Sequence, residues 1–202
     1  MNKTELLNSL KRKGFSNKVL DAFSEVKREN FVSKDLKNRA YEDNALQIGE
    51  GQTISQPYTI ATMLSLLDLK KGQKVLEIGS GCGYVLALMS EIVDKKGEVY
   101  GVEIKSELVE KSKENTKDYK NIQIYNKNGR QGFKEAAPFD RILISAASET
   151  IPKEVLSQLK DKGLVVAPVG PRDSQSLIAF QREKDEFKIK EKLPGFVFVP
   201  FV

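Results

Sequence analysis

Histidine and tryptophan are absent from this chain of 202 residues, and cysteine occurs once. Without histidine there is no Ser-His-Asp triad, no histidine general base and no histidine metal ligand. With a single cysteine the common zinc sites are excluded too, so no metal is expected. Cys82 has no partner for an intramolecular disulfide, which fits a reducing compartment, the cytoplasm. No run approaches the roughly 18 consecutive apolar residues of a membrane helix. The opening MNKTELLNSLKRKG lacks the apolar stretch of a secretory signal. There is no repeat, low-complexity tract or long linker. The expectation is one domain over 1–202, cytoplasmic, with no membrane partner.

What is present can build a core. Hydrophobic residues make up 40% and charged residues 30%, a balance that argues against disorder. The net charge of +5 raises the question of nucleic acid. The lysines are interleaved with acids, as in Lys105-Ser106-Glu107 and from Lys111 to Glu114, which reads as a solvated surface. No nucleic-acid partner is expected, and the chain is expected to act as a monomer.

Periodicity divides the chain. Leu6, Leu7 and Leu10 share a helical face that Gly14 ends; Val19, Leu20, Phe23 and Val26 make a second. Residues 44–56 are polar and carry Gly49 and Gly51, so they read as a loop. Pro57 suits the first turn of a helix bearing Ile60, Met63, Leu64 and Leu67. From there strands alternate with helices: strands at 74–78, 98–102, 122–125, 139–145 and 164–169, helices at 84–93, 107–116 (capped by Ser106) and 152–159. Late strands at 176–180, 187–190 and 196–199 follow without helices between them. Alternation of this kind gives an α/β fold with a mostly parallel sheet, ending here in antiparallel pairs.

The sharpest local signal is Glu77-Ile78-Gly79-Ser80-Gly81-Cys82-Gly83-Tyr84, between the first strong strand and its helix. Glycines there let a ligand approach the backbone, at the edge where open α/β sheets bind ligands. The dinucleotide fingerprint G-x-G-x-x-G fails, because its third glycine is Tyr84; no phosphate loop of the G-x-x-x-x-G-K-[ST] type is present. Glu77 would repel a pyrophosphate but suits an ammonium group. Glu103 ends the next strand, about twenty residues on, where a carboxylate accepts from ribose hydroxyls. Adenosine with an amino-acid tail describes S-adenosylmethionine; a tight turn with no ligand is the competing reading of the glycines.

The chain resembles the protein-L-isoaspartate O-methyltransferases from about residue 17 to 202. The segment from Tyr41 to Tyr58, YEDNALQIGEGQTISQPY, carries most of the specificity. Ala137-Pro138-Phe139-Asp140-Arg141-Ile142, Ile151-Pro152, Gln158-Leu159-Lys160, Pro168-Val169-Gly170 with Gln175, and Phe198-Val199-Pro200 add to it. The resemblance implies a class I, Rossmann-like methyltransferase fold, doubly wound with a seven-stranded sheet. A small N-terminal helical addition and loop would occupy 1–55, and the core 56–202. It implies S-adenosyl-L-methionine as cofactor and isoaspartyl peptides and proteins as partners, their free α-carboxylate receiving the methyl group.

By position, Ser55 matches the active-site serine in a loop that closes over cofactor and substrate, with Ile54, Gln56 and Tyr58 in the same loop. Gly79, Ser80, Gly81 and Gly83, with Glu77, would hold the methionine part; Glu103 and Ile104 the ribose side; Asn128 and Gly129 the adenine; Gln175 would lie near the cofactor. The sequence departs from the family where Lys127-Asn128-Gly129 replaces a usual Gly-Asp-Gly, and asparagine can still accept through its carbonyl. Ser148-Glu149 replaces a more apolar pair, and Cys82 replaces a small hydroxyl residue without implying a reactive thiol. Spacing alone favours a helix N-cap for Ser55 over a substrate contact, and the resemblance reverses that preference. An RNA methyltransferase on the same fold would want an RNA-binding extension, which is not visible; a non-catalytic cofactor binder has only the altered adenine motif in its favour. The same chemistry on a natural-product peptide would want a recognition domain for which 202 residues leave no room.

Overall fold

The computed structural model describes residues 1–201. A seven-stranded sheet forms the centre: β3 (Lys74–Ile78), β4 (Glu98–Glu103), β5 (Ile122–Asn126), β6 (Phe139–Ile144), β7 (Leu159–Val169), β8 (Gln175–Glu183) and β9 (Glu186–Phe196). Their spatial order is β5-β4-β3-β6-β7-β8-β9. The first five are parallel, and β8 and β9 add antiparallel. The chain runs outward from β3 to β5, then returns to the other side of β3 with β6. The carboxyl ends of β3, β4 and β6 therefore meet at the switch point, where such sheets open a crevice.

Alternation along the strands fills both faces. Val75 and Val99 join one core, with Leu86, Leu88 and Met89 of α4 (Tyr84–Val93) and Leu64 and Leu67 of α3 (Pro57–Leu67). Leu76, Ile78, Tyr100 and Val102 point the other way, onto Phe133, Phe139 and Val155. On the first face α4 sits close to the sheet because Gly101 has no side chain; a Cβ there would lie 2.7 Å from a Leu86 methyl. Two N-terminal helices, α1 (Lys3–Arg12) and α2 (Asn17–Glu25), pack outside α4. Asn2 and Glu5 close a reciprocal capping box at the start of α1. Helix α5 (Ser106–Asn115) follows β4. No helix among the described residues is long and apolar enough to cross a membrane.

Four expectations need correction. Residues 44–56 are not all loop: β1 (Leu46–Gly49) and β2 (Gln52–Ile54) pair as a short antiparallel hairpin. The helix expected over 152–159 is only α6 (Lys153–Leu156). It stops because Gln158 is claimed elsewhere: its side chain accepts from Phe133 N (2.7 Å) and donates to Gln131 O (2.7 Å), and its carbonyl accepts from Phe139 N (2.8 Å). No strand begins at 196; β9 runs on through Pro194 and Gly195 (φ +92°) and ends at Phe196. Ser106 is the first helical residue, and the N-cap is Lys105, with no side-chain cap bond.

Candidate functional site

A cleft of about 850 Å³, partly open to solvent, lies over the carboxyl ends of β3, β4 and β6. Its floor is the glycine loop. Gly79 N and Ser80 N donate to Val102 O at 2.9 and 3.2 Å, which bends the chain across the end of β4. Gly79, Gly81 and Gly83 all have positive φ (+82°, +52° and +85°), which only glycine adopts at little cost. Gly83 has a second reason: a Cβ would lie 2.4 Å from Ser112 Oγ of α5.

Two carboxylates face this floor. Glu77 is 1% exposed on β3. Its Oε1 accepts from Ser145 Oγ at 2.7 Å, while Oε2 has no partner within the protein. Burial pushes its pKa up to about 8, against the lowering effect of the Ser145 bond. Glu103 holds the backbone of the loop: Gly81 N donates to Oε2 at 2.9 Å and Lys105 N to Oε1 at 3.0 Å. A carboxylate has about four lone-pair sites, so capacity remains for further donors. Ser80 Oγ, buried and unpartnered, completes the polar lining. Buried polar atoms without partners are rare in folded proteins, and Glu77 Oε2 and Ser80 Oγ both belong to residues lining this cleft.

The roof is the β1–β2 hairpin. Ile48, Thr53, Ile54 and Ser55 line the cleft, and a Cβ on Gly81 would lie 3.1 Å from the Ile48 Cδ1 methyl. Lys111 Nζ of α5 donates to Ile48 O at 3.0 Å. At the root, the buried Arg28 donates to Ser55 O at 2.9 Å. Ser55 does not cap α3. That place belongs to Gln56, whose side chain makes no cap bond, and Asp43 Oδ1 instead accepts from Tyr58 N at 2.7 Å. The far wall is the C-terminal segment, Val199 to Phe201. It is clamped by Ala147 N to Val199 O and Phe201 N to Ala147 O, both 2.8 Å, and by Arg130 Nη2 to Phe201 O at 2.9 Å.

Of the residues singled out in the sequence, Ile54, Ser55, Glu77, Gly79, Ser80, Gly81, Glu103, Ile104 and Gly129 line this one cleft. Gln56, Tyr58, Gly83, Asn128 and Gln175 do not. The Tyr58 ring packs against Phe15, 5.8 Å between centroids. The exposed Asn128 caps a 3-10 turn, its Oδ1 accepting from Arg130 N at 2.9 Å. Gln175 is buried; its Oε1 accepts from Phe198 N at 2.8 Å and its Nε2 donates to Pro171 O, so it ties the C-terminal segment to β8. Ser145, Lys127 and Phe201 were not anticipated as lining residues. Ser145 follows directly on β6, and neither it nor Phe201 carries a local signal. Cys82 lines the cleft as a buried thiol whose pKa burial raises to about 11, so it is inert.

The residues present fit S-adenosylmethionine. Glu77 offers a buried, unpaired carboxylate oxygen for an ammonium, Glu103 an acceptor at a strand end, and the glycine loop a side-chain-free approach between them.

Comparisons with known proteins agree. The family model described as Protein-L-isoaspartate(D-aspartate) O-methyltransferase matches residues 1–202. A protein-L-isoaspartate O-methyltransferase of Methanothrix thermoacetophila is 43% identical over 204 aligned residues, covering 100% of this chain and 95% of that protein. A solved structure named protein-L-isoaspartate O-methyltransferase superposes with a TM-score of 0.90 at 31% identity; it covers 98% of this chain, and this chain spans 65% of it. A crystal structure from Plasmodium falciparum, described as a beta-aspartate methyltransferase in complex with S-adenosyl-L-homocysteine, gives a TM-score of 0.86 at 27% identity and covers 100% and 99%.

Proposed function

The chain belongs to the protein-L-isoaspartate(D-aspartate) O-methyltransferase family, and from that premise we propose how its residues divide the work of the reaction. The protein is an S-adenosylmethionine-dependent repair methyltransferase acting on the free α-carboxylate of L-isoaspartyl residues in damaged peptides and proteins. When bound, the cofactor supplies an activated methyl group on a sulfonium sulfur. Glu77 takes the ammonium of its amino-acid part, Gly79 to Gly81 let that part lie against the backbone, and Glu103 accepts from the ribose. Ile104, exposed beside Glu103, gives the adenosine an apolar face. Gly83 and Gln175 act through the shape of the loop and the far wall, and Asn128 through the turn that sets Gly129 against Ile78.

The acceptor is a carboxylate and is ionised at pH 7, since carboxyl groups titrate near pH 4. It needs no general base, which suits a cleft without histidine. What remains for the protein is placement: oxygen, methyl carbon and sulfur in line, with water excluded. Ordering of this kind can contribute about 7–11 kcal/mol. Ser55 donates a hydrogen bond to the acceptor carboxylate and orients it. The observation that carries this role is its place in the roof, across from Glu77 and the glycine loop, with no capping task to occupy it.

The test uses two peptides differing only in an isoaspartyl or aspartyl linkage, with S-adenosylhomocysteine release and peptide mass as readouts. Only the isoaspartyl peptide is expected to gain a methyl group. Ser55→Ala is expected to lower kcat by about 10- to 100-fold, the worth of one hydrogen bond to a charged group, with little change in cofactor affinity. Full turnover in a Ser55→Ala protein that only melts earlier would remove serine from the reaction.

A further inference from the structure

Arg28 stands outside the cleft, yet it is the most completely buried charged side chain described, at 0% exposed. It opens a 3-10 turn, Arg28–Asn30, that follows α2. Tyr41 fixes this turn by donating its hydroxyl to Glu29. From there the guanidinium reaches the root of the hairpin. Nη2 donates to Ser55 O at 2.9 Å and lies 3.4 Å from Asn44 O. Asn44 precedes β1 and Ser55 follows β2, so one planar group pins both strands where they leave the rest of the fold. The same group lies over the Tyr84 ring, its Cζ 5.1 Å from the centroid. Tyr84 is the first residue of α4 and follows directly on the glycine loop.

The arrangement is costly for a merely structural arginine. Burial works against its charge, no carboxylate pairs with it, and Nε and Nη1 have no partner. Packing alone would be served by an apolar residue of similar length. What an apolar residue could not do is hold a carbonyl on one side and an aromatic face on the other in fixed relation. Those two contacts belong to the two halves of the reaction. Ser55 sits on the acceptor side, and Tyr84 backs the loop that takes the methyl donor.

We propose that Arg28 is a positioning residue: by holding the Ser55 carbonyl against the Tyr84 ring it sets the distance and orientation between Ser55 and the cofactor loop, and so controls kcat. This rests on the role given to Ser55 above. Misplacement by about 1 Å costs on the order of 100-fold in rate, so a pin at the hairpin root has leverage on turnover while the cofactor's own contacts stay intact.

The experiment is a double-mutant cycle of Arg28→Met and Ser55→Ala, read as kcat, peptide KM, S-adenosylhomocysteine affinity and melting temperature. Arg28→Met is expected to lower kcat by about 10- to 100-fold, no more than Ser55→Ala does, and to leave S-adenosylhomocysteine affinity within about threefold. The double variant is expected to be no slower than Ser55→Ala alone, because the pin acts through the residue already removed. Arg28→Lys keeps the charge and one donor but not the planar face. It is expected to lose less, and it serves as the folded comparison if the methionine variant does not fold. Wild-type kcat in either folded Arg28 variant, or fully additive losses in the double variant, would overturn the proposal. A normal kcat in Ser55→Ala beside a slow Arg28→Met would instead sink the role of Ser55, and with it the route assigned to Arg28.

Discussion

Glu77 concentrates the electrostatics of the site in one side chain. Its pKa of about 8 in the folded protein lies above the ordinary carboxyl value because burial penalises the charge. The sign follows from linkage. The folded state holds a proton that the unfolded chain releases, so the favourable contribution is complete below the unfolded value, near 4.5, and is lost as pH rises through about 8. Glu77→Gln is therefore expected to raise the melting temperature of the cofactor-free protein relative to wild type at pH 8.5, with the advantage vanishing near pH 4.5. The same change is expected to weaken cofactor binding at least tenfold, since the ammonium loses its counter-charge. Binding at pH 7 also ionises Glu77 in wild type, so calorimetry in buffers of different ionisation enthalpy is expected to register release of close to one proton. No proton release, or parallel pH–stability curves for the two proteins, would mean that the carboxyl is already ionised in the free cleft. Glu77 was legible from its place just before the glycines. Its partner Ser145 was not, because 68 residues separate the two and only the β3–β6 pairing brings them together.

Among the elements, the hairpin carries most of the difference between sequence and structure. Its strands are four and three residues long and joined through Gly49, Glu50 and Gly51, all with positive φ, so no alternating pattern survives to announce them. What makes it stable is tertiary: Ile48 against the glycine loop, Arg28 at the root, Lys111 near the tip. The helices and strands from 57 to 144 were legible because they alternate regularly and some carry local markers, such as Pro57 at the start of α3 or the glycines before α4. The stretch from 152 to 199 was less so, since Gln158 and Gln175 end or divert the chain through bonds to distant backbone. The Lys111 contact yields an element-scale prediction. A half-exposed charge-assisted hydrogen bond to a carbonyl is worth about 1 kcal/mol after screening. Lys111→Met is expected to raise the dissociation rate of S-adenosylhomocysteine by about fivefold in stopped-flow measurement, with the melting temperature of the free protein within about 2 °C of wild type. An unchanged dissociation rate would mean that the hairpin does not need this lysine to stay over the cleft.

At the scale of the molecule, the cleft is assembled from three parts of the chain that share no local structure: the hairpin, the ends of β3, β4 and β6, and the C-terminal residues 199–201. The first two were visible in the sequence as a family segment and a glycine loop. The third was visible only as a short family match, because a wall made of Val199-Pro200-Phe201 has no periodicity and no chemistry of its own. Its position follows from the order of the sheet. β9 lies at the far edge, and the chain must cross back over β7 to bridge Ala147 with Pro200 beside β6. Phe201 then buries its ring against Gly129 and under the Arg130 guanidinium, 5.4 Å from the ring centroid. A ligand filling the cleft touches all three parts, so its binding energy adds to the stability of the whole fold. At a concentration 100 times its dissociation constant that gain is about 2.7 kcal/mol. Phe201→Ala removes the apolar wall beside Gly129 and loosens the segment that carries it. Cofactor affinity is expected to drop about tenfold, and the rise in melting temperature produced by a fixed concentration of S-adenosylhomocysteine to shrink by about 4 °C. Differential scanning fluorimetry of both proteins with and without the ligand measures it directly. An equal ligand-induced rise in the two proteins would show that the C-terminal segment only covers the second core and takes no part in holding the cofactor.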